Sequence, residues 1–268
     1  MPQTTLRHED MDVRALSDPL QYAYASRDAD VFDMVRDALR AGRAQLAFHP
    51  VVVANDRNMI SFYEGLMRLT DEDGRILPAG HFMQQIEETS LGRQLDCAAL
   101  SLAFETLQRH PGLRLSVNLS ARSIGDSEWR RVLDRGLYDG RALGARLIFE
   151  ISESSAMLLH ENVVRFMSEM QPKGVCFALD GFGAGLTSFR HLRDFFFDLV
   201  KIDKSFARGI DRDPDNQVLA EALITVAHQF EMFAVADGVE TAAEASFLHG
   251  LGVDCLQGYH FGVPSLTL

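Results

Sequence analysis

The chain is poor in cysteine and in basic residues, and it has no long apolar run. Only three cysteines, Cys97, Cys176 and Cys255, occur in 268 residues, and they lie far apart without a CxxC pair. This excludes a disulfide framework and a zinc finger, and makes a reducing cytoplasm the expected setting. No stretch approaches the roughly eighteen uninterrupted apolar residues of a membrane span. The start of the chain, MPQTTLRHEDMDVRALSDPL, lacks the apolar core of a secretory signal, so none is expected. Lys plus Arg number 26 against 38 Asp plus Glu, a formal charge of −12. Such a balance disfavours DNA or RNA as partners, because their backbones call for a basic stripe. A phosphate-bearing ligand would need some attraction other than the overall field. What the chain does have is a globular composition, 47% hydrophobic and 24% charged, which excludes an intrinsically disordered chain.

Residues 1–28 are polar and without clear periodicity, and read as a tail or linker ahead of a domain over 29–268. Val31, Met34, Val35, Ala38 and Leu39 fall on one helical face, and Ala41-Gly42-Arg43 closes that helix. Short apolar runs then alternate with amphipathic helices. The strand-like runs are 45–53, 60–69, 113–119, 146–151, 175–180, 198–202, 232–236 and 253–257. Asp215-Asn216 reads as the N-cap of the helix carrying Leu219, Leu223 and Val226. Eight strands alternating with helices predict an α/β fold, a TIM-like (β/α)8 barrel, with an open doubly wound sheet as the alternative. Only six residues, Ala54 to Met59, separate the first two runs. That is too few for a crossover helix, so one strand of the barrel is expected to be antiparallel.

Alternation along each strand separates a bulky apolar face from one that ends in a polar group at the C-terminal tip. Leu115 and Val117 oppose Ser116 and Asn118; Phe149 and Ile151 oppose Glu150; Phe177 and Leu179 oppose Asp180. Asn118, Glu150 and Asp180 should meet at the barrel mouth, joined by Glu64, Lys201, Asp237, Glu240 and Gln257. Active sites of such barrels are built there. Taken singly, each acid reads as a helix cap or a surface charge. Recurrence at successive strand tips is what points to a shared site. Crowded carboxylates and an amide oxygen suit a hard cation, Mg²⁺ or Mn²⁺, rather than zinc. Lys201 either pairs with Asp203 or faces the mouth, where it can orient water or neutralise phosphate. The nine histidines show no metal-type spacing. Phe195-Phe196-Phe197 reads as packing under the barrel, with an exposed dimer patch as the alternative.

Seven ordered strings carry a resemblance: Tyr63-Glu64-Gly65-Leu66-Met67-Arg68, Ser116-Val117-Asn118-Leu119-Ser120, Glu150-Ile151-Ser152-Glu153, Asp180-Gly181-Phe182-Gly183-Ala184-Gly185, Lys201-Ile202-Asp203, Asp237-Gly238-Val239-Glu240-Thr241 and Gln257-Gly258-Tyr259. In this order they resemble the motifs of the EAL domain, over about residues 30–265. The resemblance implies a barrel with one antiparallel strand and, in active members, hydrolysis of cyclic di-GMP to pGpG with two Mg²⁺ or Mn²⁺ ions. It implies Glu64, Asn118, Glu150 and Asp180 as ligands of one metal, with Asp237 also toward a metal. It implies Lys201 and Glu240 as catalytic residues and Leu66, Arg68, Asp203 and Gln257 as ligand-binding residues. Glu153 matches an acid that stabilises a loop.

The departures from the pattern are specific. Gly181 stands where the family has a second Asp, Asp237 where it has Glu, His49 where it has Gln, and Gly65 where it has Ala. A carboxylate that normally holds the second ion therefore has no side chain here, so a single ion, or none, is expected. The resemblance then implies an impaired or inactive phosphodiesterase serving as a cyclic di-GMP receptor or interaction module. The alternatives are a slow metal-dependent phosphodiesterase and a protein-binding scaffold without nucleotide. A homodimer through residues 183–193 and a protein partner are further implied partners.

Overall fold

The computed structural model describes residues 19–138, 141–185 and 189–268. Residues 1–18 of the expected tail lie outside this range. Helix α1 runs over Pro19–Arg40, so it begins well before Asp30. Its Val35 and Ala38 are fully buried. It ends in a paired turn that needs the left-handed backbone of Gly42 (φ +66°): Arg43 N–H donates to Ala38 O at 2.8 Å and Gly42 N–H to Leu39 O at 3.1 Å.

Strands β1 (Ala44–Val53) and β2 (Asp56–Thr70) form an antiparallel hairpin. Its turn is only Ala54 and Asn55, because β2 starts earlier than its apolar run. A short β3 (Ile76–Pro78), absent from the sequence reading, pairs with the end of β2. Helices α2 (Met83–Ile86) and α3 (Ser90–Arg109) lead to β4 (Leu115–Asn118). There follow α4 (Ser127–Gly136), α5 (Arg141–Gly144), β5 (Leu147–Ser152), α6 (Glu153–Leu158), α7 (His160–Met170), β6 (Cys176–Phe182) and α8 (Phe189–Leu192). The chain continues through β7 (Leu199–Ile202), α9 (Lys204–Ala207), α10 (Pro214–Gln229), β8 (Phe233–Ala236), α11 (Ala242–Gly250) and β9 (Cys255–Gln257). The order β1-β9-β8-β7-β6-β5-β4-β2 closes through the β1–β2 pairing into a barrel, which excludes the open sheet. Strand β1 is antiparallel to both neighbours, and the other seven are mutually parallel.

Two apolar layers hold the barrel. The larger lies between strands and helices, where Trp129, Phe149, Phe166 and Phe177 stack with ring centroids 5.6–6.1 Å apart. These aromatics come from the outward faces of β5 and β6 and from α4 and α7. The smaller layer fills the barrel interior with Val51, Phe62, Ile148, Ala178, Leu199 and Val235. This plug makes the barrel a packed core with a polar mouth rather than a pore. Phe195 and Phe197 are buried and Phe196 is exposed, so two of the three phenylalanines follow the packing reading. The cap of α10 is Asp213, two residues before the expected position; it accepts the N–H groups of Asp215 and Asn216 ahead of Pro214. No helix among the described residues is long and apolar enough to cross a membrane.

Candidate active site at the barrel mouth

Directly above the apolar plug lies a layer of buried polar side chains: His49, Glu64, Ser116, Glu150, Lys201 and Gln257. They come from β1, β2, β4, β5, β7 and β9, each on the inward face of its strand. Lys201 Nζ donates to Glu64 Oε2 at 2.9 Å and to Glu150 Oε2 at 2.8 Å. The pairing of Lys201 with Asp203 considered from the sequence does not form. Asp203 instead caps α9, accepting Ser205 N–H at 2.9 Å. The Gln257 amide donates to Glu64 Oε2 at 2.6 Å and lies 3.0 Å from His49 Nδ1. Asn118 Nδ2 donates to Glu64 Oε1 at 3.2 Å, and the Ser116 hydroxyl donates to Glu150. The role of Ser116 was not singled out from the sequence, although its place two residues before Asn118 puts it on the same face.

Charge explains the arrangement. Burial pushes the Glu64 carboxyl up, but the Lys201 ammonium and the Gln257 and Asn118 donors outweigh this and hold it below the usual range. Burial and the neighbouring Glu64 charge push Glu150 up to about 8 despite Lys201. Asp180 is also raised, by burial and then by Glu64 and Asp237, against the pull of Lys201. Burial opposes the charge on Lys201, yet Glu150, Glu64, Asp180 and Asp237 together hold its pKa well above that of a free lysine. One ammonium thus serves four acids, and the excess negative charge is what a bound cation would relieve. The donors are all oxygens, which fits Mg²⁺ or Mn²⁺. In this conformation Lys201 sits between the acids, and they do not bring three carboxylate oxygens within 4.8 Å of one another.

The Asp180 side of the mouth is built differently. The β6–β7 register slips between Leu179 and Phe182, a bulge centred on Gly181 with φ +73°. The extra residue lets Asp180 face inward while Phe182 enters the outer core, where strict alternation would have turned it inward. A Cβ built on Gly181 meets nothing within 4 Å. Asp237, at the end of β8, lies close enough to bear on His49, Asp180 and Lys201, and its Oδ1 accepts Gly238 N–H at 2.7 Å. Glu240 does not join the network. Its side chain is half-exposed and pairs with Arg208 at 2.7 Å. Glu153 opens α6 and accepts Gly183 N–H at 3.3 Å from the loop after β6.

Along β2, Glu64, Leu66 and Arg68 share the inward face, while Met67 and Leu69 are buried in the outer core. Arg68 donates to Met67 O at 2.9 Å and is partly buried. Beside the mouth opens a groove of about 380 Å³, lined by Asn118, Ser120, Arg122, Glu150 and Ser152 among others. Among the described residues, Gln257 Oε1 at the mouth is buried without a hydrogen-bond partner. Burial lowers the His49 pKa, against the opposing pull of Glu64, Asp237 and a backbone hydrogen bond with Gly262. With Nδ1 accepting from Gln257, the proton of the neutral ring belongs on Nε2.

Residues 33–264 match the EAL domain family. The signaling protein YkoW of Bacillus subtilis is 29% identical over 235 residues, 86% of this chain and 29% of that protein. The cyclic di-GMP phosphodiesterase NbdA of Pseudomonas aeruginosa is 26% identical over 245 residues, 90% of this chain and 31% of that protein. The chain thus spans about a third of the length of these curated relatives. Among solved structures, the PaMucR phosphodiesterase in complex with c-di-GMP superposes with a TM-score of 0.80 at 26% identity, over 88% of this chain and 97% of that one. The FimX EAL domain from Pseudomonas aeruginosa bound to c-di-GMP gives 0.81 at 26% identity, over 89% and 97%. With its closed barrel, its single antiparallel strand and its polar strand tips, the chain belongs to the EAL domain family.

Proposed function

We propose that this chain is a cytoplasmic cyclic di-GMP receptor whose phosphodiesterase activity is lost or strongly impaired. The observation that carries the reading is Gly181: at the position expected to supply a carboxylate to a second ion there is no side chain. Asp237 is one methylene shorter than the expected Glu, and Glu240 is engaged by Arg208. In-line hydrolysis of a phosphodiester relies on paired ions that hold the attacking and leaving oxygens. Losing the second of them costs several kcal/mol of barrier, and each 1.4 kcal/mol or so is tenfold in rate.

One divalent ion, Mg²⁺ or Mn²⁺, suits Glu64, Asn118, Glu150 and Asp180, and when bound it would neutralise phosphate charge. This chain's own residues supply the rest. Lys201 and Arg68 offer cationic donors toward a phosphate or an attacking water. Leu66 lines the same face, Gln257 and Asp203 stand at strand ends around it, and Glu153 holds the loop after β6. The unpartnered Oε1 of Gln257 favours binding, because a buried polar atom without a partner is costly and a nucleotide would supply one.

Calorimetry with cyclic di-GMP, with and without Mg²⁺, run beside an assay for pGpG, tests the reading. Heat that persists without metal, with little pGpG formed, is expected. Robust Mg²⁺-dependent conversion to pGpG would overturn it in favour of an enzyme, and absence of heat would leave a protein-binding scaffold.

A further inference from the structure

We infer that His160, His191 and Asp194 form a second metal site, in the helical layer outside the strands, that takes a first-row transition ion of the Zn²⁺ type. His160 opens α7, while His191 lies in α8 and Asp194 follows it. The three come from segments that the barrel topology alone brings together. Among the described residues they are the one group of three His, Cys, Asp or Glu side chains whose ligand atoms all lie within 4.8 Å of one another.

The geometry is that of ligands rather than of hydrogen bonds. Asp194 Oδ2 lies 3.4 Å from His160 Nε2 and 3.6 Å from His191 Nδ1. Both distances exceed the usual N–H···O range of about 2.7–3.2 Å. A single carboxylate oxygen poised between two imidazole nitrogens is satisfied by neither. By contrast, ligand atoms about 2.0–2.2 Å from a tetrahedral Zn²⁺ are separated from one another by about 3.4 Å. His160 Nε2 is buried without any hydrogen-bond partner. Its ring is fixed edge-on against Phe195, with centroids 4.8 Å apart. Arg193 Nε lies 3.6 Å from the other oxygen of Asp194, which leaves Oδ2 to face the histidines, as an outer-shell partner would.

Two imidazoles and one carboxylate select Zn²⁺, Co²⁺ or Ni²⁺ over Mg²⁺, so this site and the all-oxygen mouth would take different ions. The three side chains are 30–40% exposed, which leaves the fourth position to water. A bound ion would fasten the return of the loop that leaves the mouth at Gly183 to the start of α7.

The test is a titration of the metal-stripped full chain with Co²⁺ in millimolar Mg²⁺, followed by visible absorption and by competition with a chromophoric chelator. One equivalent with the intense bands of a four-coordinate, nitrogen-ligated ion is expected. His160→Ala and His191→Ala should each weaken binding by about tenfold or more, whereas Asp180→Asn, at the mouth, should leave it unchanged. Only weak six-coordinate bands in the unaltered chain would overturn the proposal whatever the variants do. Unchanged affinity in both folded histidine variants, or loss of binding in Asp180→Asn, would overturn it as well.

Discussion

On one side of the barrel mouth Glu64, Glu150, Lys201 and Gln257 are buried, mutually bonded and backed by Ser116 and Asn118. On the other side Asp180 stands beside a residue with no side chain, Asp237 bonds its own loop and Glu240 points to a surface arginine. Both sides are made of strand ends in one barrel, so the scaffold does not account for the difference. The first side is held by its own electrostatics, because the Lys201 ammonium bonds both buried carboxylates, Glu64 and Glu150. The second has no such internal constraint, and a carboxylate can be absent there without cost to the fold. A binding surface can therefore outlast a catalytic one in the same mouth.

The largest test breaks the first side. In Lys201→Met, Glu64 and Glu150 lose the ammonium that bonds them both. Removing one partner of a buried ion pair costs about 3–5 kcal/mol. Urea unfolding in metal-free buffer near pH 8 should show a loss of that order. A change below about 1 kcal/mol would mean that the polar layer is not what holds this side together.

Next comes Asp96, which supports the loop after β4 on the same side. Its carboxylate accepts the Ser123 hydroxyl at 2.6 Å and Ser120 N–H at 3.3 Å, yet burial outweighs both bonds and raises its pKa to about 7. The folded chain then keeps a proton that the unfolded chain loses near the usual carboxylate value. Asp96 thus contributes a fall in stability as pH rises from about 4 to about 7, by up to about 1.4 kcal/mol per unit. Asp96→Asn should flatten that part of a stability–pH curve. An unchanged slope would show that Asp96 is ionised throughout.

How much of this was legible in the sequence follows from the length of each signal. The eight barrel strands and the convergence of Asn118, Glu150 and Asp180 were readable because period-two alternation reports which face is inside. Strand β3 and helices α5, α8 and α9 were not, since three or four residues cannot display a period. The extension of α1 back to Pro19 was hidden because Arg27-Asp28 interrupts the stripe between Leu20 and Tyr24 and the face of Val31, Val35 and Ala38. The turn of Glu240 toward Arg208, and the meeting of His160 with His191 and Asp194, depend on contacts between distant segments that spacing does not encode.

Restoring the second side is the sharper use of the comparison. The space at Gly181 is open to a Cβ, and Asp tolerates a left-handed backbone better than most residues. Gly181→Asp should cost about 1 kcal/mol of stability through its φ of +73°. It should raise Mg²⁺-dependent pGpG formation by about tenfold or more, equivalent to about 1.4 kcal/mol of barrier. If turnover does not rise, the missing carboxylate is not what limits this chain.

The smallest expected effect lies at Arg208. Its pair with Glu240 is about half-exposed on both sides, and such pairs are worth roughly 0–1 kcal/mol. Arg208→Ala should therefore leave the unfolding midpoint nearly unchanged. Its value is as a second step: in the Gly181→Asp background it frees a carboxylate near the mouth without touching the buried network. If Glu240 belongs to the catalytic side, the double variant should turn over faster than Gly181→Asp alone, with the gain in kcat rather than KM. Equal rates would mean that Glu240 is a surface residue held by Arg208, and that the depleted side lacks more than the carboxylate missing at position 181.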